Sequence, residues 1–105
     1  MDFEVTSKII NDSLILTFGS EVRLELLLKN IKLFYENNSV QEENFVVPIF
    51  LDTGKFDEVS LKFDSNLKIQ TVTFIAKDNI NKKQYSISIC IKTNSFTSKE
   101  MLFNS

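Results

Sequence analysis

No histidine occurs anywhere in this chain of 105 residues, and that absence excludes more chemistry than any other feature of it. Without imidazole there is no Ser-His-Asp or Cys-His nucleophile system, no histidine general base and no common zinc or haem site. Cysteine occurs once, at Cys90, so neither an intrachain disulfide nor a thiolate cluster can form, and a reducing compartment is expected. The two glycines, Gly19 and Gly54, are too far apart to make a glycine-rich phosphate cradle. The longest apolar run, FVVPIFL from Phe45 to Leu51, holds the only proline, Pro48, and falls far short of the ~20 residues a membrane helix needs. The opening MDFEVTSK has an acidic pair before its first lysine and no apolar core, so it does not read as a secretory signal. A cytoplasmic protein without a membrane role is expected.

Basic residues are missing from one stretch altogether. None lies between Leu33 and Gly54, whereas Glu36, Glu42, Glu43 and Asp52 all do. The net charge of −2 therefore hides an asymmetry: residues 1–54 hold four basic against nine acidic side chains, and residues 55–105 hold eight lysines against five acids. Such a one-signed run either forms a solvated loop or steers a partner of opposite sign.

What is present is alternation. In QYSISICIK, Tyr85, Ile87, Ile89 and Ile91 point one way and Gln84, Ser86, Ser88, Cys90 and Lys92 the other, which predicts a strand with one face in a core and the serine face in water. Phe3 to Ile10 and Ser13 to Phe18 form a first hairpin about Asn11-Asp12, and Glu58 to Phe63 and Leu67 to Ala76 alternate in the same way. Pro48 cannot donate to a ladder, so Phe45 to Leu51 belongs at a sheet edge or a bulge. Residues 21–38 fit a helical stripe through Leu24, Leu27, Leu28 and Ile31. They fit two strands joined at Lys29-Asn30 better, with only Leu27 and Phe34 out of phase. Asn37 to Asn44 reads as a polar loop, and no element is assigned after Thr93. Short strands punctuated by turn residues predict a single all-β domain over residues 1–105, an antiparallel β-sandwich or small barrel of about seven or eight strands. The alternative is an α+β fold with one helix over 21–36.

For chemistry the candidates are few. Asp52, Asp57 and Asp78 would meet at one end of a meander and offer oxygens to calcium, although Asp in turns ordinarily satisfies local backbone groups. Cys90 has only Lys92 nearby to depress its pKa, and reads as a quiet thiol. Lys82-Lys83 beside Tyr85 resembles a basic-aromatic nucleic-acid pattern, but one arginine and a negative net charge argue against nucleic acid. With no catalytic signature, no cofactor motif and no metal set, the chain reads as a non-enzymatic protein-binding domain. The first expectation is an inhibitor or immunity protein that covers the active site of a basic toxin, with Tyr35, Glu36, Glu42, Glu43, Phe45 and Asp52 as the contact set. The second is a ligand-binding or structural β-sandwich module of phage or surface origin, using its end loops.

Overall fold

The computed structural model of the protein describes residues 1–103; the last two residues of the expected domain lie outside the described part. Strict alternation produces what it predicts: nine antiparallel strands and no helix among the described residues. A three-stranded sheet has the order β1 (Phe3–Ile10), β2 (Ser13–Ser20), β6 (Phe56–Lys62). A six-stranded sheet runs β4 (Val40–Glu43), β3 (Leu24–Tyr35), β7 (Ile69–Asp78), β8 (Lys83–Cys90), β9 (Ser95–Met101), with β5 (Val47–Leu51) also paired to β3. The two sheets form a sandwich rather than a closed barrel.

The inward residues are those the alternation selects. Leu14, Leu16 and Phe18 from β2 face Leu24, Leu26 and Leu28 from β3, Val72, Phe74 and Ala76 from β7, and Ile87 and Ile89 from β8, all buried. At one end the sheets are joined by aromatic rings. Phe18 meets Phe74 edge-on at 5.8 Å, Phe3 meets Tyr85 edge-on at 5.9 Å, and Phe3 and Phe18 lie 6.4 Å apart. Such edge-to-face contacts add to area burial rather than replace it. On one side, the turn after β5 carries the chain from the larger sheet into β6. On the other, β1 and β9 approach without a ladder, and Asn94 Oδ1 ties them by accepting from Ser7 N and Ser7 Oγ, each at 2.8 Å.

Three sequence expectations need correction. Residues 24–35 are neither a helix nor a hairpin but one strand of 12 residues, with a bulge at Lys29-Asn30 where the ladder to β7 shifts register. Asn30 takes φ 54°, and the extra residue resets the phase so that Leu28 and Ile31 both face the core. The loop expected over residues 37–44 contains β4, and the unassigned tail supplies β9. Both are edge strands whose side chains are mostly exposed, so the core leaves little alternation in them. Across β8 the isoleucines are buried as expected. On the serine face Gln84 is buried too, between Lys77 and Met101 in the ladder.

Candidate functional site

The acidic run from Glu36 to Asp52 builds one edge of the six-stranded sheet. β4 pairs with residues 31–34 of β3 and β5 with residues 24–28, both antiparallel, so residues 40–51 form an interrupted strand along the edge of β3. The 44–46 link passes the Lys29-Asn30 bulge. At about 3.3 Å per residue, this edge is roughly 40 Å long. Pro48, opposite Leu27, costs nothing where no further strand needs its N–H. Beside it, the Asp57 carboxylate accepts from Phe50 N at 3.0 Å and so holds the start of β6 against β5.

The six residues expected to make the contact do not converge. Glu36 lies at one end of the edge and Asp52 at the other, where its carboxylate accepts from Thr53 N at 2.8 Å. Glu42 faces outward and is paired to Lys32 Nζ at 3.7 Å, with both side chains well exposed. Glu43 is half-buried and accepts from Gln41 Nε2 at 2.6 Å. Phe45 is exposed beside them. Tyr35 is in the core, 4% exposed, with its hydroxyl donated to Gln41 Oε1 at 2.5 Å, and a ring held there meets no partner.

The sequence reading missed how much apolar surface shares this edge. Val40, Phe45, Val46 and Phe50 are all exposed along it, Phe50 by 64%, and Phe56, at the start of β6 in the other sheet, is exposed by 73%. Phe56 is positioned by a glycine. It pairs with Gly19 across β2 and β6, and its ring atoms lie 2.8 and 2.9 Å from where a Cβ on Gly19 would stand. The Cδ1–Cε1 edge of the ring therefore lies against bare backbone at Gly19, and most of the side chain is open to water. Glu4 stands opposite Gly19 on β1, and Glu58 follows on the same face of β6. Phe56 is thus an exposed ring between carboxylates on the outer face of the three-stranded sheet. Gly19 inside an otherwise apolar strand was the available signal, because a strand glycine marks a place where something approaches closely.

The remaining candidates resolve into local structure. Asp78 Oδ1 accepts from Ile80 N and Asn81 N, both at 3.0 Å, and its Oδ2 accepts from Asn81 Nδ2 at 2.9 Å. Asp57 holds Phe50 N and Glu58 N. The turns after β5 and β7 do share one end, yet among the described residues no three carboxylates or thiols gather where a metal ion would sit. Tyr85 is a core residue, and burial, followed by the charges of Glu100, Asp78 and Asp2, pushes its hydroxyl pKa up. Its ring offers nothing for a base to stack on.

Cys90 ends β8 half-buried. Hydrogen bonds from the Thr93 side chain, then the Thr93 and Lys92 backbone, together with the Lys92 charge, hold its pKa below the ordinary thiol value against a smaller opposing effect of desolvation. Since the Thr93 hydroxyl is the largest cause, Thr93→Val is expected to raise the thiol pKa and slow alkylation by iodoacetamide at neutral pH. The pH dependence of the alkylation rate measures this directly. An unchanged profile would show that the hydroxyl does not reach the sulfur in solution.

Fold and surface together define an antiparallel β-sandwich that presents an acidic, aromatic-bearing sheet edge. No protein-family model, curated protein or solved structure matches the chain.

Proposed function

We propose that this protein is a non-enzymatic binding domain that docks a basic protein along its β4–β5–β6 edge, in the manner of an inhibitor or immunity protein that covers a toxin's active site. The reading is carried by one observation: exposed Phe45, Val46, Phe50 and Phe56 lie within a stretch that has six carboxylates, from Glu36 to Glu58, and one lysine, Lys55. Protein interfaces pair central aromatic anchors with a polar rim, and here Phe45 and Phe50 stand along the β4–β5 edge while Phe56 stands on the neighbouring start of β6. The division of labour follows from the physics. Carboxylates at long range raise the encounter rate with a Lys/Arg-rich surface, and the phenylalanines then supply the buried contact that slows dissociation. Blockade is steric and electrostatic, and uses no covalent step.

The test uses the protein as bait in extract of its native cell. A partner retained by the wild type at low salt is expected to be basic. It is expected to be lost from bait carrying Glu36→Gln, Glu42→Gln and Glu43→Gln together. A partner held equally by both baits would move the binding surface off this edge.

A further inference from the structure

The two ends of the sandwich are finished differently. Phe3, Phe18, Phe74 and Tyr85 fill the core towards the end that holds the β5–β6 turn. At the other end no aromatic cluster spans the sheets among the described residues, and a cleft of about 700 Å³ opens there, walled in part by Ile9, Phe63, Leu67, Ile69 and Ile91. Ile9 is exposed and Phe63, Leu67 and Ile91 are half-buried, in a chain whose strands otherwise alternate closely. Four connections surround the cleft and are tied to their neighbours. Phe63 N donates to Asp12 O at 3.0 Å, Glu36 N to Lys68 O at 2.9 Å and Ile91 N to Gln70 O at 3.1 Å. The Asn94 contacts to Ser7 close the side between β1 and β9. The walls are therefore preformed rather than splayed.

Two lysines, Lys68 and Lys92, line the opening against one carboxylate, Glu36. Among the described residues none of the three takes part in a salt bridge, so neither lysine is neutralised by an ion pair. A hollow of this size, with an apolar wall, a few polar groups from Asn11, Ser65 and Gln70, and charged side chains beside them, has the make-up of a small-molecule site. We infer that the end cleft binds a free medium-chain carboxylate, its hydrocarbon chain between the sheets against Ile9, Phe63, Leu67 and Ile91 and its carboxylate at Lys68 and Lys92. This site shares only Glu36 with the acidic edge and does not depend on the docking proposal.

Calorimetric titration of the whole protein with hexanoate, octanoate, decanoate and decyltrimethylammonium, each below its micelle concentration, tests the inference. Affinity is expected to rise with chain length, by up to about fourfold for each methylene buried. Decanoate is expected to bind at least tenfold more tightly than the cation of equal chain. Lys68→Gln with Lys92→Gln, both exposed changes that leave the fold intact, should erase the head-group preference while keeping the dependence on chain length. Leu67→Trp, which fills the cleft from its loop, should weaken decanoate at least tenfold with an unchanged circular dichroism spectrum; if that variant does not fold, the lysine pair decides alone. No saturable heat with decanoate, equal affinity for anion and cation, or full decanoate affinity in folded Leu67→Trp would overturn the inference.

Discussion

Replacing Phe18 with alanine is expected to remove about 3–5 kcal/mol of stability and bring the domain close to its unfolding midpoint. Phe18 is fully buried and is one of the two rings through which the three-stranded sheet meets aromatic rings of the six-stranded one, touching Phe3 on its own sheet and Phe74 across the interface. Truncation loses the transfer energy of the ring and leaves a cavity between two ladders whose backbone hydrogen bonds resist collapse. Phe18→Leu keeps most of the volume and should cost roughly a third to a half as much. Urea denaturation followed by circular dichroism gives both values. A cost below about 1 kcal/mol for alanine would mean that the sheets are not held together here.

The second large effect falls on binding and spares the fold. Phe50→Ser combined with Phe56→Ser is expected to weaken the docked partner by 30-fold or more, since aromatic anchors at the centre of an interface each contribute about 2 kcal/mol or more on truncation. Phe50 lies at the surface, and its loss should change stability by less than about 0.5 kcal/mol. Phe56 covers Gly19, so its removal uncovers strand backbone and should cost somewhat more, about 0.5–1 kcal/mol. A double variant that binds as the wild type does, with the same urea midpoint, would remove the aromatic half of the proposed surface.

Much of this architecture was legible in the chain because a two-sided strand writes its environment into the sequence. Tyr85 to Ile91, Leu14 to Phe18 and Val59 to Phe63 could be assigned from alternation alone, and Pro48 marked an edge. The Lys29-Asn30 step was not legible. A left-handed asparagine serves a hairpin turn and a strand bulge equally well, and the choice was made by β4, β5 and β7, which pair along both sides of β3. Tyr35 already fell in the inward phase with Ile31 and Leu33, where the fold has it, and its choice as a contact residue rested only on its place beside Glu36. β4 and β9 left almost no signal, being edge strands with little buried side-chain surface. The acidic run was visible as composition, but its shape was not. Glu36 and Asp52 separate to opposite ends of the edge because the chain between them runs extended along β3. The platform of Phe56 on Gly19 needs the register of β2 against β6, which no local pattern contains.

The central claim is that the acidic edge steers a basic protein onto this domain, and association kinetics test it most directly. With the captured partner, rates are measured at low and high salt for the wild type and for the variant with Glu36, Glu42 and Glu43 all changed to glutamine. Charges at the rim act on encounter, and salt screens them over roughly 10 Å at 0.1 M. The wild type is therefore predicted to associate several-fold to tenfold faster than the variant at low salt and to lose that advantage at high salt, while the dissociation rates differ much less. Equal association rates for the two proteins at every salt concentration would contradict the account and leave the run from Glu36 to Asp52 as a solvated edge.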